Sequence, residues 1–248
     1  MRLKRITARA IAEINSLPPP RPQSGLRIFL YHSVGVGITE QFYGTSLPTA
    51  AFRRQMQLLS QRSDLTVTNL SDSQPTDSRF RVAISFDDGY RDNLHIAAPI
   101  LTEMKITAMF FVTASFVGNG PDYLSPPELQ ELASLPGMAI GSHGLTHCRL
   151  TACDDRGLRR ELTDSRQFLE DLIGKPVTAI SYPHGAINHR VRNAAIQAGY
   201  IVGATSRYGI NGPRQDRLCL HRCEIVSQDT ERVFVQKLSG GWDWRGRW

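Results

Sequence analysis

From Leu26 onward, two periods of apolar and polar residues take turns along this chain. Short apolar runs read as strands: Leu26 to Tyr31, Arg81 to Phe86, Thr107 to Thr113, Met138 to Ser142, Val177 to Tyr182, Tyr200 to Thr205 and Leu218 to Leu220. Helical spacing fills the intervals. Pro48 to Gln61 sets Phe52, Met56 and Leu59 on one side, and Asn93 to Met104 follows the second strand. Ser125-Pro126-Pro127-Glu128 reads as a helix start, with Ser as N-cap, proline at the first helical position and Glu three residues on. Asp154 to Ile173 carries Leu158, Leu162, Leu169 and Leu172 on one face and stops at Gly174. Asn188 to Ala198, closed by Gly199, and Asp229 to Leu238 are the last two helices. The nearly continuous apolar run Thr107 to Thr113 suits a buried parallel strand. This β-α order predicts an α/β fold, with parallel strands joined by helical crossovers and enough of them to curl into a barrel.

In such barrels chemistry collects at the C-terminal strand ends. Polar clusters follow five of the predicted strands here: Tyr31-His32, Asp87-Asp88-Gly89, Ser142-His143, Tyr182-Pro183-His184-Gly185 and His221-Arg222. Two adjacent carboxylates repel unless a cation or a base role separates them. A metal on one would leave the other free as a base, although Asp-Asp-Gly alone also suits a turn. The spacing of His143 and His147 puts both imidazoles on one face of a helical turn, where they can chelate one ion. One Asp with two His makes a three-ligand site with positions open for water and substrate. Zinc is the expected ion, and other first-row divalent ions suit the same ligands.

Tyr31-His32-Ser33, Ser85-Phe86-Asp87-Asp88-Gly89, Ser142-His143-x3-His147 and Tyr182-Pro183-His184-Gly185 occur in this order. Together they resemble the polysaccharide deacetylase family, carbohydrate esterase family four, over roughly residues 26 to 240. The resemblance implies a distorted (β/α) barrel with about seven parallel strands, and hydrolysis of the N-acetyl, or sometimes O-acetyl, group of a glycan. It assigns Asp87 as catalytic base and Asp88, His143 and His147 as metal ligands. It also implies an oxyanion held by the metal and by the backbone N–H of the residue after the motif proline, here His184. Tyr182 and His32, at their own strand ends, are read as lining the substrate pocket, although a lone His is more often structural. Three positions depart from the family pattern. Ser181 stands where an arginine usually steadies the catalytic base, so Arg222 is expected to reach Asp87 from another strand end. His184 stands where the family has tyrosine. The acid histidine of the family lies in a Leu-x-His stretch that Leu218-Cys219-Leu220-His221 matches loosely; His221 and His184 are both candidates, with His221 preferred.

Composition narrows the setting. With 248 residues and 41% hydrophobic content, the chain can bury one barrel-sized core. Residues 1–25 read as a basic helix and proline-rich linker, and 26–248 as the catalytic domain. Leu3, Ile6, Ala10, Ile14 and Leu17 fall near helical spacing among Arg2, Lys4, Arg5 and Arg9. That suits a helix packed on the domain, or one lying on a membrane surface. It lacks the continuous apolar core of a secretory signal, and no run approaches the roughly 18 apolar residues of a membrane span. A net charge of +6 favours anionic partners such as phosphorylated sugar carriers, acidic glycans or a membrane surface, and the scattered arginines form no nucleic-acid motif. The expectation is therefore a cytoplasmic protein, peripheral at the inner membrane, acting on an N-acetylated glycan or a lipid-linked sugar in exopolysaccharide biosynthesis. Alternatives are another amide or ester bond hydrolysed on the same metal site, or a non-catalytic glycan-binding relative; the intact Asp87, Asp88, His143 and His147 argue against the latter. Cys148, Cys153, Cys219 and Cys223 miss zinc-ribbon spacing and are expected as free thiols. Trp242, Trp244 and Trp248 are expected to cover the bottom or side of the barrel.

Overall fold

Alternating strand and helix patterns fold here into one curved parallel sheet with helices along its outside. The computed structural model describes residues 24–35, 44–70 and 80–247. The expected N-terminal helix, its proline linker and Trp248 lie outside the described residues. In chain order the elements are β1 (Gly25–Tyr31), β2 (Ser33–Val34), β3 (Ser46–Leu47), α1 (Thr49–Ser60), β4 (Leu65–Val67), β5 (Phe80–Phe86), α2 (Ala98–Glu103), β6 (Ala108–Val112), α3 (Pro126–Ser134), β7 (Met138–Ser142), α4 (Asp155–Ile173), β8 (Ala179–Ser181), α5 (His189–Gln197), β9 (Val202–Ala204), β10 (Cys223–Glu224) and α6 (Glu231–Leu238). Seven strands run parallel in the order β10-β1-β5-β6-β7-β8-β9, and β4 pairs with the first half of β5. A parallel bridge between Ala204 and Leu220 brings the two ends of the sheet together. The architecture is the distorted barrel of about seven parallel strands that the family resemblance implied.

The helix boundaries follow local chemistry. Ser125 donates its backbone N–H and its hydroxyl to the Glu128 carboxylate, the capping box visible in the sequence. The Asp154 side chain caps α4 by accepting from the Gly157 N–H, and Gly174 closes the helix with φ 65°. Two segments depart from expectation. Asn93 to Ala97 winds as a π-turn before α2, beside Pro99, which has no N–H to donate. Leu218 to Leu220 is not a strand. Asp216 accepts from the N–H of Leu218 through its side chain and from that of Cys219 through its carbonyl, so the chain turns there. Pairing resumes only at Leu220 and β10.

Strand alternation sorts side chains onto two faces. Phe80, Val82, Ile84 and Phe86 of β5 pack outward beneath the helices. Leu26, Ile28, Ala83, Met109, Phe111, Ala179 and Val202 fill the barrel interior. Residues 81, 83, 85 and 87 therefore share the inner face, which carries Asp87 into the mouth. At the N-terminal end of β1, Arg27 forms a two-point ion pair with Asp243, and the buried Trp242 lies 5.2 Å beneath the Lys237 ammonium. The C-terminal tryptophans Trp242 and Trp244 thus pack against the core away from the mouth. The four cysteines are free thiols, with Cys148 Sγ and Cys153 Sγ 3.3 Å apart.

Candidate active site

Asp87 is placed by the ladder itself: its N–H donates to the Tyr31 carbonyl, extending the β1–β5 pairing one residue past the strand. Asp87 is 3% exposed, and a charge so deep must be paired. Arg222 supplies the pair. Its Nη1 lies 2.7 Å from Asp87 Oδ1 and its Nη2 2.7 Å from Oδ2, a parallel two-point grip. The same Nη2 donates to Ser181 Oγ at 2.8 Å, and Ser181 Oγ donates to Asp87 Oδ2 at 3.0 Å. Arg222 Nε donates to the Thr205 carbonyl at 2.9 Å. The charge expected at the Ser181 position thus arrives from Arg222, the residue just before β10, and the serine fills the gap. Burial pushes the Asp87 carboxyl upward, but Arg222, with His143 and His32, outweighs it and holds the group well below the usual carboxylate range.

Beside it, Asp88, His143 and His147 offer ligand atoms that all lie within 4.8 Å of one another. Asp88 Oδ1 is 3.4 Å from His143 Nε2 and 3.3 Å from His147 Nε2. That oxygen is buried without a hydrogen-bond partner, a costly state for a carboxylate unless a cation meets it. His143 Nδ1–H donates to the Ser181 carbonyl at 2.8 Å, which leaves Nε2 as the free ligand nitrogen. Burial lowers the His143 pKa, favouring the neutral imidazole that a metal requires. At His147 burial also lowers the pKa, but the adjoining Asp88 carboxylate outweighs it and the net shift is upward. The donor set, two imidazole nitrogens and one carboxylate oxygen, fits a zinc-like divalent ion.

The helical turn expected for His143 to His147 does not form. The segment is an irregular loop entered through Gly144 at φ 79°. Asp88 (φ 78°), His147 (φ 62°) and His184 (φ 59°) are three of the four non-glycine residues with positive φ among the described residues. Such conformations cost about 1–3 kcal/mol each and persist where surrounding contacts impose them, commonly at functional sites.

Two expected site residues point elsewhere. Tyr182 follows Ser181 on β8 and so faces the opposite side; its hydroxyl donates to the Leu218 carbonyl and its ring joins the outer core. His221 precedes the inward Arg222 and likewise turns away. Its ring packs on Gly209, where a Cβ would come within 2.4 Å of Nδ1, and its pKa is lowered by burial and then by Arg207. The other two histidines are at the mouth. His184 donates from Nε2 to the His147 carbonyl at 3.1 Å, with ring centroids 4.6 Å apart. His32 lowers both Asp87 and Asp88 electrostatically; its carbonyl is held by Asn93 Nδ2, and its Nδ1 is buried without a partner. Sequence reading missed Ser85, Tyr90 and Glu161. Ser85 shares the inner face with Asp87 and lies 3.4 Å from Arg222 Nη1, which two-residue periodicity signals. Tyr90 hydrogen-bonds Asp88. Glu161 lies on another element, and no local pattern marks it.

A family model described as polysaccharide deacetylase matches residues 74–203. The chain is 28% identical over 207 residues to YxkH of Bacillus subtilis (strain 168), a protein named among the polysaccharide deacetylases; the match covers 81% of this chain and 71% of YxkH. It is also 28% identical over 131 residues to a chitooligosaccharide deacetylase of Rhizobium leguminosarum bv. trifolii, spanning 52% of this chain and 57% of that protein. Among solved structures, the Streptococcus pyogenes deacetylase PplD in complex with acetate matches with TM-score 0.76 at 22% identity, over 86% of this chain and 98% of that one. IcaB from Ammonifex degensii matches with TM-score 0.72 at 19% identity, over 88% and 97% respectively. At these identities the two solved structures share the fold with this chain.

Proposed function

The chain belongs to the polysaccharide deacetylase family, and from that premise we propose that it is a metal-dependent hydrolase removing N-acetyl groups from N-acetylhexosamine units of a glycan or glycan precursor. One observation carries the reading: Asp88 Oδ1 lies 3.4 and 3.3 Å from two imidazole nitrogens, directly beside a carboxylate gripped by a buried arginine. Structural packing calls for none of these together.

Asp88, His143 and His147 would hold the divalent ion, which when bound polarises the acyl carbonyl and acidifies water. Asp87 takes the proton of the attacking water. Arg222 and Ser181 keep that carboxylate ionised and aimed, so no time is lost reorienting it. The developing oxyanion meets the backbone N–H of His184, on the turn after Pro183. The leaving amine must gain a proton. His32 is the group we assign to this, because His221 faces away and His184 is engaged with the His147 carbonyl. The net charge of +6 supports a substrate on an anionic carrier, such as a phosphate-linked sugar at the inner face of a membrane.

The test is acetate release from N-acetylated oligosaccharides and lipid-linked sugars, with and without a chelator, beside elemental analysis of wild type and His143→Ala. The reading expects acetate release that stops on chelation and returns with one divalent ion per chain, and a variant that has lost most of its metal. Acetate from O-acetylated substrates alone would overturn the amide assignment. A wild-type protein that binds no metal after reconstitution would overturn the reading entirely.

A further inference from the structure

The loop between the two histidine ligands lacks the support that regular structure gives. Leu145 is half-buried and Thr146 exposed, so packing alone does not hold them. The loop is instead bracketed by hydrogen bonds on both sides. Its carbonyls at Gly144 and Leu145 accept from the N–H groups of Ala114 and Ser115, on the turn after β6. Its N–H groups point the other way, toward α4. The Gly144 N–H donates to Ser142 Oγ, which contacts Ser165 Oγ of α4 at 2.9 Å. The next two go to one carboxylate oxygen: Leu145 N and Thr146 N lie 2.9 and 3.0 Å from Glu161 Oε2. The Thr146 hydroxyl donates to Glu161 Oε1 at 2.6 Å.

Glu161 is thus a carboxylate on the middle of α4, 7% exposed, whose two oxygens accept three bonds from residues between the metal ligands. Successive N–H groups around a left-handed residue form a concavity that binds anions. Gly144 at φ 79° supplies the left-handed residue, and Glu161 is the anion built into the chain. The fit is close: a Cβ on Gly144 would come within 3.3 Å of both Glu161 Oε2 and Pro183 Cγ. Thr146 leads directly into His147, whose own backbone is left-handed.

We propose that Glu161 is the positioning residue of the metal site: it fixes the loop from Gly144 to Thr146, and with it the direction in which His147 meets Asp88. This rests on the metal reading above. Outer groups that orient ligands commonly carry about a 10–100-fold effect on metal affinity. Reading the equilibrium affinity of folded protein separates this role from a general contribution to stability.

The experiment titrates the 248-residue chain with zinc against a chromophoric chelator, with circular dichroism and apo-protein melting alongside. Glu161→Met keeps the length of the side chain and removes both acceptors; its zinc affinity should fall about 10–100-fold in the folded protein. Glu161→Gln retains one acceptor oxygen for the two amides and should regain most of that loss. Should Glu161→Met fail to fold, Thr146→Val at the exposed position deletes one of the three bonds and should weaken zinc severalfold. Wild-type affinity in folded Glu161→Met, or in Thr146→Val where that variant decides, overturns the proposal. A wild type that binds no zinc overturns the metal reading first, so the two failures are told apart.

Discussion

Arg222→Lys tests the central arrangement of the site. Arg222 is fully buried and gives two parallel bonds of 2.7 Å to Asp87, one to Ser181 and one to Thr205. A lysine keeps the charge on a single nitrogen and cannot reproduce the planar fork. At least one charge-assisted bond to Asp87 is lost, worth about 1.5–3 kcal/mol. At about 1.4 kcal/mol per tenfold, turnover should fall by roughly 10- to 150-fold where the full loss is felt in the transition state. The Michaelis constant should stay nearly constant, because Arg222 has no exposed atom to offer a substrate. The pH profile should move as well. Burial raises the Asp87 carboxyl and Arg222 is the largest influence opposing it, so a weaker grip lets the group rise. A base works only when deprotonated and loses activity as pH falls through its pKa, so the acid limb of kcat should shift to higher pH. The complementary Arg222→Leu leaves a buried carboxylate unpaired, at a cost of about 3–5 kcal/mol. For a domain of this size that lowers the melting temperature by about 2–4 °C per kcal/mol. Acetate release across pH and thermal melting read both effects. Unchanged kcat with a raised Michaelis constant in Arg222→Lys would refute the reasoning and make Arg222 a substrate-binding group.

Asp87→Asn keeps size and removes the proton acceptor, so activity should drop by roughly two to four orders of magnitude while elemental analysis still finds the metal. His32→Ala should lower turnover by about 10²–10⁴-fold, whereas His221→Ala, whose ring packs on Gly209, should stay within about twofold; the reverse pattern would return the acid role to His221. Glu128 tests the pH dependence of the fold. Burial raises its carboxyl, but the Ser125 backbone, His95 and Arg91 bring it from 4.5 down to about 2. A depressed carboxylate adds stability that is present above its unfolded pKa and lost as pH falls through the folded one. Melting of wild type and Glu128→Gln should therefore differ at neutral pH and converge between about pH 4.5 and pH 2; a constant difference down to pH 2 would show that the carboxylate charge is not involved.

The amino-acid sequence by itself determined the element order, the caps of α3 and α4, and which residues stand at the strand ends. These depend on contacts a few residues apart: a Ser125 side chain with its own Glu128, or a two-residue alternation that carries Asp87 to the end of β5. Even the reach of Arg222 to Asp87 could be inferred, because a buried carboxylate needs a cation and Ser181 has none. Facing was beyond local pattern. His221 and Arg222 are neighbours, and so are Ser181 and Tyr182; which of each pair turns inward depends on register in the closed barrel, where a one-residue shift exchanges the faces. The Asp216 turn bends the strand-like run at Leu218 and Cys219, so that within it only Leu220 bridges to β9. H-x3-H spacing suits a helix as well as a loop, and Gly144, with the bonds donated by Ala114 and Ser115 and those accepted by Glu161, selects the loop. Those partners lie 15 or more residues from the residues they hold, so the geometry of the histidine ligands exists only once α4 and the β6 turn have packed on either side of it.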